Sequence, residues 1–396
     1  MSTSPYRHVF VVIEHIDGQL IPASLEMLGE ARRLFDEYNA RYNEKEKVVA
    51  VLLGHNVKGL SKTLIEHGAD AVVVADHPNL KDLINLIHTK VVNQISLSKE
   101  VAKKIEPAYA DEYQRPRYMF FAADSIGRHL SSTVLADLDS GLASDVNKLV
   151  ISDMSITHHI KTGGKPLMYE KTLEMYRVDF SGFLWTTILC LDNRNEKISI
   201  REYWPQACNI IPGAFQPIEP DSSRSGVVID FEPKFDEADL KIKVISQTFV
   251  KSEVDFNNYR TIVGFGKGIQ AAPEKNIKLI EEFARLVGAQ IGITLPLSKN
   301  VFSASPSTNA TYLIPARVIG TSGSKVGPML YFAIGLSGAM QHLAGMEESG
   351  FVIAINPDEE APIKDASDIF LKGRLEDVLP LLIEEIKKEP QLVVAK

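Results

Sequence analysis

The sequence predicts an α/β protein of two domains, the second built on a doubly wound parallel sheet. Its 396 residues, 45% of them hydrophobic, are numerous and apolar enough to form two packed cores. Short β-branched runs alternate with helical patterns from the first residues onward. The same alternation returns after residue 259, where glycine-rich turns now follow the apolar runs. Both halves therefore predict parallel strands joined by crossover helices.

The N-terminal half predicts a nucleotide-binding-like α/β domain. A helix is expected at residues 23–42, between the first two apolar runs. Gly127 follows the last of these runs at the start of another helix, at the sheet edge where open α/β sheets bind ligands. The predicted strands are HVFVVIEH (8–15), KVVAVLLGH (47–55), DAVVVAD (70–76) and RYMFFAAD (117–124).

The middle of the chain predicts antiparallel strands followed by a connection. FLWTTILCL (183–191) and ISIREYW (198–204) are short strand-like runs, and a stretch rich in Pro, Ser and Gly follows at 212–226. VVIDFEPKF (227–235) and KIKVISQTFV (241–250) are typical of strands or of an extended linker. We expect an N-terminal scaffold domain at 1–215, a linker at 216–245 and a C-terminal domain at 246–396.

The C-terminal third predicts a second doubly wound sheet. Helices are expected at 273–287, from about residue 338 through His342, and in the amphipathic segment 375–389. Four to eight apolar residues per strand, next to glycine-rich turns, are typical of buried parallel strands. The predicted strands are RTIVGFGKG (260–268), AQIGIT (289–294), MLYFAIGLS (329–337), FVIAINPD (351–358) and ASDIFLKG (366–373).

Composition excludes several classes of function. A net charge of -8 argues against nucleic-acid binding, which normally needs a clustered basic face. Two cysteines cannot form a disulfide framework, so we expect a cytoplasmic protein. No segment approaches the length needed to span a bilayer, so no direct membrane insertion is expected. Glu14-His15 and the segment 124–128 lack metal-ligand spacing, which favours a scaffold role for both.

Four glycine-rich turns in the C-terminal third indicate a dinucleotide site. Each follows a predicted strand, at 264–268, 319–323, 335–338 and Gly373. Such turns let backbone amides approach phosphate, although each one alone also fits an ordinary strand-to-helix turn. His342 lies seven residues after Gly335, about one and a half to two helical turns along, where it fits either a ligand contact or a buried structural histidine.

AIGLSGAMQHLAGM (333–346), followed by VIAINPDEEAPI (352–363), closely resembles the flavin-binding core of electron-transfer flavoprotein alpha subunits. The likeness continues in FVVIEHIDGQLIPASLEMLGEARRL (10–34), AADSIGRHLSSTVLADLDSGLASDV (122–146) and PIEPDSSRSGVVIDFEP (217–233), and so covers nearly the whole chain. The resemblance implies an extended FAD in the C-terminal domain and a beta subunit against the N-terminal one.

The resemblance also implies which residues hold the cofactor. It places residues 337–342 along the flavin and its ribityl and phosphate chain, Asn356 at the adenosine part, and the Ser322 hydroxyl at flavin N5. The implied FAD-binding residues are Gly266, Lys267, Gly268, Thr294, Ile319, Gly320, Thr321, Ser322, Gly335, Ser337, Gly338, Ala339, Met340, Gln341, His342, Asn356, Arg374 and Leu375.

The sequence departs from the family pattern where positive charge is usual. Lys267 stands for an arginine, which loses the bidentate fork for phosphate. Leu295 stands for the arginine that packs over the flavin ring, so we expect His342 and the helix N-terminus to carry the stabilisation of negative charge there. Arg317 and Lys325 are candidate replacements for the missing cation.

Three functions follow from this comparison. The first is an FAD-containing electron carrier that works as a heterodimer with a beta subunit. It would accept electrons from flavin dehydrogenases, such as the acyl-CoA dehydrogenases of fatty acid oxidation, and pass them to a membrane quinone oxidoreductase or another acceptor. The second is a nucleotide-binding assembly or sensing subunit of the same fold with weak or lost flavin. The third, an NAD-dependent dehydrogenase, lacks the usual GxGxxG and ribose-binding acid.

Overall fold

Two separate parallel sheets organise the chain, which confirms the predicted α/β class. The computed structural model describes residues 4–179, 184–246, 254–256, 259–299 and 304–388. The chain divides into two units: the first covers 1–178 and 185–247, and the second covers 179–184 and 248–396. Within the described residues, no helix is both long enough and apolar enough to cross a membrane.

The described residues of the first unit form seven parallel strands, two small antiparallel sheets and five α-helices. Its strands are β1 (Tyr6–Ile13), β2 (His15–Ile16), β3 (Gln19–Leu20), β4 (Val48–Gly54), β5 (Ala71–Asp76), β6 (Arg115–Ala122), β7 (Leu142–Val146), β8 (Lys148–Thr157), β9 (Pro166–Asp179), β10 (Leu184–Ile188), β11 (Gln206–Ile210) and β12 (Val227–Asp230). Its helices are α1 (Pro22–Tyr42), α2 (Ser61–Glu66), α3 (Asn85–Ser96), α4 (Lys99–Ile105) and α5 (Ser125–Asp137).

The large sheet of this unit is parallel throughout, in the order β12-β5-β4-β1-β6-β11-β7. Every residue of β1 and β4 is buried, as expected for parallel strands covered on both faces. The helices α1 and α2 pack on one face, and α3, α4 and α5 pack on the other. Helix α1 begins at Pro22, whose fixed φ suits the first turn, and ends where Asn43 turns left-handed with φ 50°.

The segment after β7 matches the sequence prediction only in part. An antiparallel sheet forms in the order β10-β9-β8, and Val227–Asp230 forms β12 at the edge of the large sheet. The predicted strand 198–204 is wrong: it makes a single bridge to Asn193, because the Tyr203 amide donates instead to the Asp192 carboxylate over 2.8 Å. Phe183 and residues 247–250, which also belong to predicted strands, lie outside the described residues.

The second unit has five parallel strands in the order β14-β13-β15-β16-β17. Helices α6 and α9 cover one face, and α8 packs near the other. All the strands run in the same direction, so their carboxyl ends lie along one edge. The elements are β13 (Thr261–Phe265), β14 (Gln290–Ile293), β15 (Leu330–Ile334), β16 (Val352–Asn356), β17 (Ile369–Lys372), α6 (Pro273–Leu286), α7 (Pro306–Tyr312), α8 (Met340–Leu343) and α9 (Leu375–Lys388).

Helix α8 is shorter than the sequence predicts. It spans a single turn, Met340–Leu343, although the prediction starts a longer helix near residue 338. A Cβ at Gly345 would overlap the backbone of Gly320, so the chain leaves the helix in close contact with a neighbouring loop. The difference lies at the start of the helix, where Gly338 has a non-helical φ of +77°. The local sequence pattern reports neither this backbone conformation nor the contact between distant segments.

The side chain of Glu14 is buried just after the end of β1, beside the start of α5. Asp124 caps α5 by accepting hydrogen bonds from the amides of Ile126 and Gly127, each 2.9 Å long. A Cβ at Gly127 would overlap the Ala122 carbonyl oxygen, and it would lie 2.5 Å from the Glu14 carboxylate. Burial raises the pKa of Glu14 to about 9, and the adjacent Asp124 carboxylate contributes to this increase. Glu14 is therefore protonated at neutral pH.

Glu14 has the environment of a buried interior group, and its scaffold role stays a prediction. Among the described residues, no group of three or more His, Cys, Asp or Glu side chains is arranged to hold a metal ion. Glu14 is only 7% exposed, and one of its carboxyl oxygens has no hydrogen-bond partner in the described structure. The protonated side chain thus packs as part of the domain interior.

We predict that Glu14→Gln stabilises the first domain at alkaline pH. The folded-state pKa lies above the ordinary value of 4.5, so the native protein loses stability as pH rises from about 4.5 towards 9. A neutral amide removes this dependence and should add about 1–2 kcal/mol near pH 8. Thermal unfolding at a series of pH values measures the effect. The control Glu232→Gln changes an exposed carboxylate and should leave the profile unaltered; equal profiles for wild type and Glu14→Gln would contradict the prediction.

Candidate functional site

The carboxyl edge of the five-stranded sheet holds a cavity of about 650 Å³. Turns that leave β13, β15 and β16 surround it, together with the loop 318–324, which meets β14 in a bridge between Val318 and Ile293. Parallel sheets bind ligands at this edge, and the volume is typical of small-molecule sites. The lining comes from residues 266–268, 294–296, 318–322, 335–339, 341–342, 356–358 and Ala361.

The turns after β13 and β15 touch each other through their backbones. The Gly268 amide donates to the Gly335 carbonyl over 2.8 Å, and the Gly266 amide donates to the Ile334 carbonyl over 3.2 Å. A Cβ at Gly268 would lie only 2.6 Å from the Gly335 Cα atom. Glycine at position 268 therefore allows an approach that any other residue would prevent.

The turn after β15 presents backbone amides to the cavity. Gly338 has φ +77°, and a Cβ there would overlap the backbone nitrogen of Ile363, which donates to the Ser337 carbonyl over 3.2 Å. In the described part of the chain, no protein group accepts a hydrogen bond from the amides of residues 337–339. A row of unpaired amides at the end of a strand suits the oxygens of a phosphate group.

The loop 318–324 forms the opposite wall of the cavity. The Thr321 amide donates to the Gln341 carbonyl over 2.9 Å, which holds the loop against α8. Gly320 has φ +140°, and a Cβ there would lie 2.7 Å from the same carbonyl oxygen. Thr321 and Ser322 consequently lie at the cavity, where their hydroxyl groups can serve as hydrogen-bond donors or acceptors.

His342 does not supply the charge that the sequence comparison assigned to it. The side chain is 4% exposed, one ring nitrogen lies 2.9 Å from the Tyr331 hydroxyl, and the other lies 3.0 Å from the Ile319 carbonyl oxygen. Burial lowers the pKa of His342 to about 4, although the hydrogen bond to Ile319 opposes this. The imidazole is neutral at physiological pH, so the expected stabilisation of negative charge by His342 is wrong.

Asn356 uses its amide group within the protein. Its Nδ2 donates to the Leu336 carbonyl over 2.8 Å, and its Oδ1 accepts from the Asp358 amide over 2.9 Å. The side chain is only 8% exposed. Asn356 therefore joins the turns that leave β15 and β16, and its implied contact with adenosine stays a prediction.

Lys267 is the only lining residue of the described structure with a permanent positive charge. Neither candidate replacement for the missing arginine lines the cavity. Arg317 donates to the Ile291 carbonyl over 2.8 Å and to the Thr311 carbonyl over 2.8 Å, and its guanidinium lies over the Tyr312 ring. Lys325 is exposed outside the cavity. Neither Arg317 nor Lys325 therefore replaces the missing arginine within this lining.

Most of the implied cofactor residues meet around this cavity. Met340, Arg374 and Leu375 do not line it: Met340 is 46% exposed, and Leu375 is buried in the core against α6. The implied residues that do line it are Gly266, Lys267, Gly268, Thr294, Ile319, Gly320, Thr321, Ser322, Gly335, Ser337, Gly338, Ala339, Gln341, His342 and Asn356.

Sequence reasoning did not assign several lining residues to the site. Leu336 lies between the turn residues Gly335 and Ser337, and Asp358 lies two residues after Asn356. Their positions within these motifs could therefore have predicted that they line the cavity. Val318 lies in a loop whose approach to the cavity depends on tertiary contacts, whereas Ala361 belongs to the segment 352–363 that carries the family resemblance. Leu295 was noted only as a substitution, yet its side chain also lines the wall.

This arrangement defines a dinucleotide-binding domain: a parallel sheet whose carboxyl edge carries converging glycine turns and unpaired amides. Comparison with known families identifies the particular class. Residues 255–347 match the family model described as the electron transfer flavoprotein FAD-binding domain. Residues 9–165 match the model described as the electron transfer flavoprotein domain.

Individual relatives cover nearly the whole chain. It is 33% identical over 384 residues to the electron transfer flavoprotein subunit alpha of Thermoanaerobacterium thermosaccharolyticum, across 97% of this chain and 98% of the relative. It is 32% identical over 389 residues to the protein FixB of Clostridium saccharobutylicum, across 98% of each. It is 30% identical over 395 residues to the acryloyl-CoA reductase electron transfer subunit beta of Anaerotignum propionicum, across 97% of this chain and 96% of the relative. The chain belongs to the electron-transfer flavoprotein alpha-subunit family.

The C-terminal domain binds FAD, and the cavity fits such a group. A pyrophosphate needs several hydrogen-bond donors, and the amides of 337–339 have no acceptor among the described residues. Lys267 adds one positive charge at the adjacent turn. The apolar lining residues Leu295, Val318 and Leu336 suit the flat face of an aromatic ring.

We predict that Gly338→Ala reduces FAD retention by more than about tenfold. An alanine with φ near +77° costs about 1–2 kcal/mol, and the overlap with Ile363 would also displace the row of amides. The ratio of FAD to protein after gel filtration and the dissociation constant of added FAD measure the loss. Gly18→Ala is a matched control, since Gly18 has the same φ of +77° but nothing within 4 Å of its Cβ position. Equal FAD affinity in the two variants would contradict the prediction.

Proposed function

We propose that this chain is the FAD-containing subunit of an electron carrier that works as a heterodimer with a beta subunit. The observation that supports this most directly is the cavity in which backbone amides, Lys267 and the Thr321 and Ser322 hydroxyl groups converge. These groups bind and orient a dinucleotide. FAD supplies the electron-transfer chemistry when it is bound, and the protein contributes binding, orientation and local electrostatics.

Each wall of the cavity has a separate task in this proposal. The amides of 337–339 and the Lys267 ammonium hold the phosphates. The hydroxyl of Ser322, with that of Thr321 beside it in the cavity wall, would hold the N5 edge of the ring. Leu295 and Val318 exclude water from the ring face. His342 is neutral, and both of its ring nitrogens are hydrogen-bonded within the protein. It therefore positions the neighbouring elements and does not transfer a proton.

The proposed donors are flavin dehydrogenases, including the acyl-CoA dehydrogenases of fatty acid oxidation, and the proposed acceptor is a membrane quinone oxidoreductase. Names among the relatives support the donor class: one is an electron transfer subunit of acryloyl-CoA reductase, and another is the LctC subunit of a lactate dehydrogenase that uses NAD(+) and ferredoxin. We propose a cytoplasmic location for the complex, which the two unpaired cysteines, Cys190 and Cys208, support.

One experiment separates this proposal from a nucleotide-binding assembly or sensing subunit. The alternative is favoured by the leucine at position 295 and by the lysine at position 267, since both weaken the usual charge around a flavin. The complex is purified with its beta subunit and its absorbance spectrum is recorded. Flavin bands that bleach when a reduced flavin dehydrogenase is added support the carrier. A colourless complex with bound adenine nucleotide supports the alternative.

We predict that Leu295→Arg raises the reduction potential of the bound FAD. The side chain lines the cavity, and an added guanidinium would stabilise the negative charge gained on reduction. A shift on the order of 50 mV, or about 1 kcal/mol for one electron, is expected for a partly solvated charge. Spectroelectrochemical titration of the assembled complex measures it. Leu381→Arg places the same charge on the exposed face of α9 and should leave the potential unchanged. A potential that falls, or that moves equally in both variants, would rule out the proposed position of the ring.

A further inference from the structure

A buried chain of hydrogen bonds connects the centre of the second sheet to the cavity wall. It starts at the hydroxyl of Tyr331 on β15, continues through the His342 ring on α8, and ends at the carbonyl of Ile319. The Tyr331 side chain is fully buried and His342 is 4% exposed. The three residues are far apart in sequence, with separations of 11 and 23 positions. Each link therefore joins elements that the local sequence does not hold together.

The partners of the ring determine where its proton lies. A carbonyl oxygen can only accept a hydrogen bond, so Nδ1 of His342 must carry a hydrogen that it donates to Ile319. In the neutral ring Nε2 is then bare and accepts from the Tyr331 hydroxyl. Burial raises the pKa of Tyr331 further above its ordinary value, so this hydroxyl keeps its hydrogen. Among the described residues, Tyr331 is the titratable side chain in contact with the His342 ring.

The neighbouring strand is shaped for the Tyr331 hydroxyl. Gly264 lies in the middle of β13, next to β15, with both its neighbours buried. A Cβ at this position would overlap the hydroxyl oxygen and would lie 2.7 Å from Cζ of the same ring. Glycine within a strand is intrinsically unfavourable, so the presence of Gly264 beneath Tyr331 indicates that this position must leave space for the tyrosine side chain.

The chain of hydrogen bonds ends where the cavity wall begins. Ile319 leads directly into Gly320, Thr321 and Ser322, which line the cavity. The Thr321 amide donates to the Gln341 carbonyl, so α8 holds the loop at two points, one through a side chain and one through the backbone. A shift of the His342 ring would consequently displace the hydroxyl groups of Thr321 and Ser322.

We propose that Tyr331 is a positioning residue for the FAD site, which holds His342 as a neutral, Nδ1-protonated bridge and thereby fixes the loop 319–322 against the cavity. Its relevance to the flavin rests on the proposed placement of the ring beside this loop. The hydrogen-bonded bridge itself does not depend on that placement, because the protonation of His342 can be measured without any electron transfer. Tyr331 touches no cofactor in this arrangement and acts through His342.

The first test reads the protonation state of His342 directly. The holoprotein is prepared with isotope-labelled histidine nitrogen, and the His342 signals are assigned from their loss in His342→Gln. We expect a protonated Nδ1 and a bare Nε2 that persist from about pH 5 to about pH 8, whereas an ordinary histidine titrates within this range. In Tyr331→Phe, loss of the hydrogen bond to the neutral ring should raise the pKa of His342 and make it titrate at higher pH.

The second test measures the consequence for the cofactor. The Tyr331→Phe holoprotein should release FAD about fivefold faster than the wild type, which corresponds to about 1 kcal/mol for one lost hydrogen bond. The release should also depend more steeply on pH, a change that a purely structural defect would not cause. Tyr312→Phe is the matched control, because Tyr312 is a partly buried tyrosine of the same domain outside the cavity lining.

Three results would overturn the proposal. They are a native His342 that carries its proton on Nε2, a native His342 that titrates near its ordinary pKa, and a Tyr331→Phe variant with unchanged titration and FAD release. The first two do not need the Tyr331→Phe variant, so they decide the matter even if that variant folds poorly. A colourless complex would instead count against the proposed electron carrier and would leave the protonation test intact.

Discussion

The contact between the backbones of Gly268 and Gly335 is the constraint on which the rest of the site depends. Because these turns touch without side chains between them, the chain leaving β15 can pass close to the sheet edge and expose the amides of 337–339. Further close contacts follow at Gly338 and Gly320. The wall of the cavity is therefore largely backbone, whose position is set by packing. Side-chain charge is a smaller contribution, and Lys267 provides the permanent cation of the described lining.

The two domains use the same edge of a parallel sheet in different ways. In the second domain, glycines keep this edge open as a cavity. In the first, the carboxyl group of Glu14 lies against Gly127 at the start of α5, where an open α/β sheet would otherwise receive a ligand. A buried carboxyl group and a helix cap thus lie at this position of the first sheet. The same position after a parallel strand therefore carries different groups in the two domains.

Strong local patterns predicted most of the fold and much of the site. The helix expected at 23–42 forms at Pro22–Tyr42, and three of the four predicted glycine turns, at 264–268, 319–323 and 335–338, contribute residues to the cavity. The fourth turn, at Gly373, does not line it. What failed depends on contacts between distant segments. Sequence similarity suggests a charged role for His342, but its neutrality follows from burial against Tyr331 and Ile319. Arg317 is likewise absent from the cavity because backbone carbonyls on a neighbouring strand and helix bind it.

The glycine beneath Tyr331 has an evolutionary consequence. A side chain at position 264 is excluded only while the Tyr331 ring lies over it. The Tyr331 hydroxyl in turn has a hydrogen-bond partner only while His342 is present and bonded to the Ile319 carbonyl. Replacing one member alone leaves either a steric overlap or a buried polar atom without a partner. Natural variation at these positions should therefore be correlated, with lineages that lose the histidine also freed to change the tyrosine and then the glycine. The loop at the cavity is thus linked to the centre of the sheet in what sequence changes it can accept.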